Sequence, residues 1–313
     1  ILLEPTSTNL IQYSEDFSSG YWSENGTSTV TLNTSISPDG SLTANTLSDA
    51  TGFSTTNTVR RTIYGLDTEH TLSAYVKSLG ATTMSLIMRN GVNGNVENQS
   101  IALTSEWQRV ELTFIVNDGQ VGFGGADGDF AIWGVQLEEL PYATSYIPNN
   151  GTALGETREA EFVSKSGLSS YINSSEGVLY SEMKAISNGN SDFSGIRLSN
   201  TDLDLISIYY NQNPDLITLR LYRLGTSIWA KDVNIGDQSL YNKFALRYNS
   251  NGADIFINGV KTNCSALDSS FIAETLTELK LQGAFAYFKG NIKDLRVYTT
   301  ALTDEQLTQL TTI

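Results

Sequence analysis

The closing run of this 313-residue chain restricts its fold more than any other stretch. Across residues 290–298 side chains of opposite character alternate, which is the period of a β-strand with two different faces. The alternation then stops, and Thr303 with Gln306 three residues later fits a capping box. The short amphipathic helix that follows carries Leu307 and Leu310. The sequence therefore predicts a final strand followed at once by a capped helical turn.

The composition favours many short strands over helices. Only 17% of the residues are charged, five are Pro, and Ser, Thr, Asn and Gly are plentiful, which suits strands joined by polar turns. Stretches with a helical period are nearly absent, and the length allows two domains of about 150 residues. We therefore predict an all-β chain of two tandem antiparallel β-sandwich (jelly-roll) domains.

Charge and residue usage argue against several classes of function. The formal charge is −15 and no stretch concentrates Lys or Arg, so nucleic acid and anionic membranes are poor partners. No apolar run reaches the length of a bilayer-spanning helix, so membrane insertion is not expected. Cys264 is the only cysteine, so an internal disulfide is not possible. His70 is the only histidine, which argues against most zinc sites and against any Ser-His-Asp or Cys-His catalytic site that needs a second histidine. The start at Ile1 lacks a signal-peptide pattern, and we expect the chain to be a piece of something longer.

Two further patterns predict how strands pair. Residues 72–77 and 84–89 both alternate, and Gly80 lies in the bend between them, which predicts a hairpin with one solvated face. Residues 242–248 and 253–261 form a second pair, which ends in an Asn258-Gly259 turn.

The closing run resembles the end of a laminin-G-like, concanavalin-type jelly roll. The positions that match are Gly290, Ile292, Arg296, Tyr298, Ala301, Leu302, Thr303 and Leu307. Asp294 comes one position later than in that pattern. The resemblance implies a laminin-G/concanavalin A-like domain over residues 158–313. Such domains include lectins, glycanases and structural modules, so the fold does not identify the function.

The first half resembles other proteins in two ways. Residues 9–17 with Tyr21-Trp22 are similar to the opening of carbohydrate-binding-module jelly rolls, which implies such a domain over residues 1–157, with a linker at 149–157. Residues 133–138 and 143–148 resemble a phrase of bacteriophage tail and fibre proteins. That likeness implies a virion protein (tail fibre, spike or capsid decoration) on the particle surface, with other virion proteins as partners and a homotrimer as the expected oligomer.

The candidate ligand-binding residues lie on predicted outer faces. In strand 216–222 the apolar residues take the core side, which leaves Thr218, Arg220 and Tyr222 outside, where sugar rings stack on aromatic side chains. Tyr209 and Trp229 on neighbouring strands extend this set, and the first half offers an equivalent set: Tyr75, Arg89 and Trp107. The alternative is that these aromatic residues pack under a loop or against the other domain. Trp22 and Trp133 are predicted to be core residues.

Metal binding and catalysis have weaker support in the sequence. Jelly rolls of both kinds often hold a structural calcium ion, and the candidate ligands are Asp16, Asp129, Glu138 and Asp294. Solvated surface acids are the alternative interpretation. A concanavalin-like glycanase needs Glu-x-Asp-x-x-Glu, and the nearest stretch, from Asp202 to Asp204, lacks both glutamates. We therefore expect no enzyme activity.

Together these patterns predict a non-enzymatic protein that binds a glycan or host cell-surface polysaccharide, or that builds a virion surface. The alternative is the non-catalytic carbohydrate-binding tail of a secreted bacterial polysaccharide-degrading enzyme, which would be extracellular. A third hypothesis is a purely structural virion protein that binds no ligand.

Overall fold

The computed structural model of the chain describes residues 1–18, 20–49, 58–63, 68–92, 94, 96–115, 118–187, 193–200, 204–249, 252–262, 276–283 and 286–313. The strands are, in order, β1 (Leu2–Leu3), β2 (Ser7–Asn9), β3 (Ser23–Asn25), β4 (Thr29–Ser35), β5 (Ala44–Asp49), β6 (Thr58–Thr62), β7 (Glu69–Ser78), β8 (Thr83–Arg89), β9 (Val96–Ala102), β10 (Gln108–Ile115), β11 (Gln120–Gly124) and β12 (Gly128–Glu138). They continue with β13 (Glu156–Arg158), β14 (Ser164–Lys165), β15 (Gly177–Ala185), β16 (Gly195–Ser199), β17 (Leu205–Tyr210), β18 (Leu216–Arg223), β19 (Thr226–Asn234), β20 (Asn242–Asn249), β21 (Gly252–Ile257), β22 (Val260–Thr262), β23 (Glu278–Lys280) and β24 (Gly290–Tyr298), before helix α1 (Asp304–Thr311).

The chain divides into two compact units. The first unit is Thr6–Glu159, and the second unit is Ala160–Ile313 together with Ile1–Pro5. This division differs from the predicted domains 1–157 and 158–313 at the N-terminus, because β1 pairs with β24 and the ammonium group of Ile1 donates to the Ile292 carbonyl at 2.8 Å. The alternation of residues 290–298 gives no sign that a strand from the far end of the chain joins this edge.

The first unit contains two five-stranded sheets that form a sandwich, and a two-stranded sheet in which β13 pairs with β2. The predicted linker at 149–157 is therefore wrong at its end, where residues 156 and 157 belong to β13. Sheet 1 has the order β10-β7-β12-β5-β4, and sheet 2 has the order β3-β6-β11-β8-β9. Alternate residues of both sheets point inward, among them Leu72 and Val76 from sheet 1 and Leu86 and Phe123 from sheet 2. Trp22 is buried in the same core, as predicted.

The predicted hairpin of residues 72–77 and 84–89 is wrong. Strand β7 lies in sheet 1 and β8 lies in sheet 2, so the bend at Gly80 carries the chain from one sheet to the other. The physical reason is that both strands bury one face in the same core from opposite sides. Alternation along a strand reports which face is buried, and two strands that face each other across a core alternate just as two paired strands do.

The second unit is also a sandwich. Sheet 3 has the order β1-β24-β15-β20-β21-β22, and sheet 4 has the order β14-β23-β16-β17-β18-β19. The predicted strands of this half are present, and Asn258 and Gly259 take positive φ values of 50° and 82° in the tight turn that joins β21 and β22. The pairings between named strands are all antiparallel, which confirms the predicted fold class of antiparallel β-sandwiches.

Helix α1 packs on the outer face of sheet 3. Leu307 is buried with Val178 and Phe256, and the predicted capping box of Thr303 is present. Asp304, at the start of the helix, lies 2.7 Å from an Arg247 nitrogen. No helix within the described ranges combines the length and the apolar character that crossing a bilayer requires.

Candidate functional site

A groove lies on the outer face of sheet 2 in the first unit. Its volume is about 410 Å³, and it is lined by Asn25, Gly26, Thr58, Arg60, Ile87, Arg89, Val96, Gln120, Val121 and Gly122. The strands supply this lining by simple alternation. Val59, Met88 and Val121 are core residues, so their neighbours Arg60 and Arg89 point outward.

Gly122 gives the groove its depth. In the ladder it lies opposite Arg60 on one side and Ile87 on the other. A Cβ atom at this position would lie 2.7 Å from the Val59 carbonyl oxygen and 2.9 Å from the Arg60 Cβ atom. Any side chain here would therefore displace Arg60 or the backbone beside it.

The polar groups of the groove differ in how they are satisfied. Arg60 donates from Nη2 to the Asn25 side-chain oxygen at 3.0 Å, which fixes its guanidinium. Gln120 donates to the Thr62 hydroxyl at 3.4 Å. Arg89 is exposed and, among the described residues, makes no hydrogen bond or ion pair. The groove thus presents one anchored and one free guanidinium beside the apolar Ile87.

The predicted set Tyr75, Arg89 and Trp107 does not form one face. Arg89 lies in the groove of sheet 2, whereas Tyr75 is on β7 of sheet 1 and Trp107 directly precedes β10 of the same sheet. The Trp107 indole donates to the Ile36 carbonyl at 3.0 Å, and the Lys77 ammonium lies 5.1 Å from its ring centre. The separation follows from the same crossing between sheets that removes the predicted hairpin.

Tyr75 belongs to an aromatic cluster on the outer face of sheet 1. Its ring lies 5.7 Å from that of Trp133, which lies 4.6 Å from that of Tyr146. Trp133 is buried as predicted, but against these outer rings and not in the core between the sheets. Gly134 sits beneath both tyrosine rings with a φ of +64°, where the register of β12 shifts.

Sequence reasoning missed Tyr146 as a member of this cluster. Its hydroxyl donates to the Glu15 carboxylate at 2.8 Å, and burial, together with that carboxylate, raises the pKa of the phenol well above its usual value. The Arg109 guanidinium covers the Tyr75 ring at 5.5 Å. The faces of these rings are therefore occupied by neighbouring side chains.

In the second unit, the outer face of sheet 4 carries the predicted Tyr209, Arg220 and Tyr222. The apolar residues of β18 point into the core, as predicted. The Arg220 guanidinium carbon lies 5.7 Å from the Tyr209 ring centre and 5.5 Å from the Tyr222 ring centre, and Nη1 donates to the Tyr222 hydroxyl at 2.8 Å. Tyr209 is only 2% exposed, and burial raises the pKa of its phenol. We call these three residues the tyrosine–arginine cluster.

Trp229 does not join the tyrosine–arginine cluster. It lies opposite Leu221 in the ladder, and both belong to the core. The register between β18 and β19 shifts directly after this pair, so that Tyr222 pairs with Ser227. A β-bulge moves side chains to the other face, and the sequence pattern of β19 does not show where the bulge falls.

The candidate calcium ligands lie apart from one another. Asp16 accepts from the Ser18 backbone at 2.7 Å, Asp294 pairs with Arg296 at 2.6 Å, and buried Glu138 accepts from the Thr144 backbone at 2.9 Å. Asp129 lies at the start of β12. Among the described residues, no three His, Cys, Asp or Glu side chains come together in a way that would hold a metal ion. Calcium binding stays a prediction.

Two of the residues considered for catalysis lie within the described part of the chain. Asp202 and Cys264 lie outside the described residues. Asp204 is buried and accepts from the Leu224 backbone at 2.6 Å, and His70 is buried with Nδ1 2.9 Å from the Thr68 carbonyl. Both side chains therefore have local structural contacts.

Comparison with known proteins identifies no matching family model and no matching curated protein. Among solved structures, domain 4 of the GH43 extracellular arabinanase AbnA from Geobacillus stearothermophilus, in complex with arabinotriose, is 19% identical over 45% of this chain and 68% of that chain, with a TM-score of 0.37. The Ruminococcus gnavus IT-sialidase CBM40 bound to α2,3-sialyllactose is 17% identical over 48% of this chain and 96% of that chain, also with a TM-score of 0.37. Domains LG4-5 of the mouse laminin α1 chain are 9% identical over 77% of this chain and 88% of that chain, with a TM-score of 0.30. At these scores the likenesses bear on neither the ligand nor the activity of this chain.

Proposed function

We propose that this chain is a non-catalytic glycan-binding protein whose groove on sheet 2 holds a segment of polysaccharide. The observation that carries the proposal is the groove itself, in which Asn25, Arg60, Arg89 and Gln120 surround the apolar surface of Ile87. Sugars present a dense set of hydroxyl groups around small apolar patches. Amide and guanidinium groups beside an aliphatic side chain match that chemistry.

The volume of the groove supports a short segment of a chain as the ligand. About 410 Å³ lies within the usual range for small-molecule sites, and strands β6, β8 and β11 of sheet 2 supply the floor. The rings on sheet 1 and the tyrosine–arginine cluster are less suitable, because other protein groups already cover their faces.

A polysaccharide array tests this proposal with the intact chain and a double variant, Asn25→Ala with Gln120→Ala. Loss of two hydrogen-bonding side chains should weaken the retained glycan about 10-fold. The matched control is Gln99→Ala, which alters an exposed amide of sheet 2 opposite the core residue Leu86 and should bind as the parent does. Retention of no polysaccharide, or equal binding by the double variant, would contradict the proposal. Release of reducing ends from any bound polysaccharide would contradict its non-catalytic part.

We further propose that the glycan-binding chain belongs to the surface of a bacteriophage particle. Its support is the resemblance of residues 133–138 and 143–148 to phrases of phage tail and fibre proteins. Proteomics of purified particles, with sedimentation of the chain to test for a trimer, would check this setting. Recovery of the full-length protein as a secreted enzyme with a catalytic domain would favour the alternative of a polysaccharide-binding tail.

A further inference from the structure

The groove on sheet 2 has an unusual charge for this chain. The whole chain carries a formal charge of −15, yet the described residues that line the groove include two arginines and no Asp or Glu. The acids of the surrounding strands do not face it. Glu24 lies opposite Val59 and Glu97 lies opposite Met88, and both of these partners are core residues. The alternation of the strands therefore separates the cations from the nearest acids.

The two arginines lie on the two strands that flank β11, offset by two residues along it. Arg60 lies opposite Gly122 on one neighbouring strand, and Arg89 lies opposite Gln120 on the other. Two strand spacings and two residues along the strand separate their backbones, which is about 12 Å across the floor of the groove. Because Gly122 has no side chain, nothing on β11 stands between Arg60 and Ile87. A sugar ring lying on this floor is within reach of both guanidinium groups.

Their hydrogen bonding gives the two arginines different roles. Asn25 holds Arg60 in place through one Nη2 contact, which leaves the rest of its fork available. Arg89 has all of its donors available within the described residues. A guanidinium that meets a carboxylate or sulfate forms two parallel, charge-assisted hydrogen bonds, which are roughly twice as strong as neutral ones. A neutral hydroxyl gives neither the second bond nor the charge.

We infer that the groove selects an anionic sugar, whose carboxylate or sulfate is bound by Arg89 while Arg60 contacts the same or the adjoining residue. This inference rests on the proposed function and names its ligand class. The negative charge of the rest of the chain repels acidic polysaccharides, so recognition is confined to this positive groove.

The test is affinity electrophoresis of the intact chain in gels that contain polygalacturonate, dextran sulfate or neutral dextran. Retardation by polygalacturonate alone identifies a carboxylate ligand, and retardation by dextran sulfate alone identifies a sulfate ligand. Binding should weaken strongly between about 20 mM and about 500 mM NaCl, because contacts between exposed charges are screened. Arg89→Gln should weaken it about 10-fold, and Arg89→Lys, which keeps the charge but loses the fork, by less.

The matched control is Lys77→Gln, which removes one positive charge from the outer face of sheet 1 in the same unit. It should leave the retardation within about two-fold of the parent, because distant exposed charges are screened. Equal loss in Lys77→Gln and Arg89→Gln would overturn the inference, as would retention only by neutral polysaccharides. Neutral retention would leave the proposed function intact. Failure to bind any polysaccharide, acidic or neutral, would remove both.

Discussion

The groove on sheet 2 and the tyrosine–arginine cluster on sheet 4 are outer sheet faces of similar composition whose arginines have different surroundings. Both faces carry an arginine beside apolar or aromatic groups. Arg89 lies over a floor opened by Gly122 and has no partner among the described residues, whereas Arg220 is enclosed by two tyrosine rings and bonded to the Tyr222 hydroxyl. The sequence pattern predicted both arginines as ligand-binding candidates and did not distinguish the two faces. The difference is that the guanidinium of Arg220 and the two tyrosine rings already contact one another.

The largest effect should come from filling the groove. Gly122→Val places a side chain where a Cβ would lie 2.9 Å from the Arg60 Cβ, so we expect polygalacturonate binding to weaken about 10-fold to about 100-fold. Affinity electrophoresis measures the change. The matched control is Gly252→Val on β21, where a Cβ would meet nothing within 4 Å, and binding should persist. Unchanged binding by a folded Gly122→Val protein would show that the groove is not the site.

Replacing each arginine by Ala should affect a different property on each face: stability at Arg220 and binding at Arg89. Arg220→Ala removes two ring contacts and a hydrogen bond, so we expect a loss of about 1–3 kcal/mol in the unfolding free energy with polygalacturonate binding unchanged. Arg89→Ala should do the reverse, weakening binding while unfolding changes by about 0.5 kcal/mol or less. Urea denaturation and affinity electrophoresis on both variants check this. Loss of binding in Arg220→Ala with unchanged stability would contradict the structural role of Arg220.

Removing one hydroxyl sharpens the same contrast on a smaller scale. Tyr222→Phe keeps the ring beside Arg220 but deletes the acceptor of its 2.8 Å hydrogen bond, so we expect the unfolding free energy to fall by about 1 kcal/mol. Urea midpoints give the change. Tyr241→Phe, at a tyrosine outside the cluster that is 39% exposed, is the control. A larger loss in the control than in Tyr222→Phe would mean that this hydrogen bond does not hold the cluster together.

The smallest effect we expect is on the pH dependence of stability, through Asp127, which lines neither the groove nor the tyrosine–arginine cluster. Asp127 accepts hydrogen bonds from the Thr82 hydroxyl and from the Thr83 and Thr82 backbone, which lower its pKa to about 2. Because the folded pKa is lower than the unfolded one, the contribution to stability is complete above pH about 4 and is lost as pH falls toward about 2. Asp127→Asn should therefore lower the melting temperature at neutral pH and make little difference near pH 2. An equal deficit at both pH values would contradict this assignment.

Local sequence patterns predicted much of the second unit. The strand at 290–298, the capping box at Thr303 and the inward side of β18 all depend on residues close in the chain, and all are confirmed. The same patterns did not predict the partner of each strand. Pairing of β1 with β24 joins residues from opposite ends of the chain, and the separation of β7 from β8 depends on which sheet completes the core.

In the candidate site too, local sequence predicted the direction of single side chains but not which residues from distant strands come together. Arg89 could be identified from its outward position on an alternating strand, but its groove needs Asn25, Arg60 and Gly122 from three other strands. Trp229 was misplaced because a bulge, which alternation does not reveal, moved it to the core.

The sequence by itself determined that this chain forms strands with one buried face, because alternation and turn chemistry act between neighbouring residues. Only the tertiary structure decided which outer face stays open. That outcome depends on whether side chains brought together from distant strands, such as Arg220 and Tyr209 or Arg89 and Gly122, satisfy one another or leave their donors for a ligand.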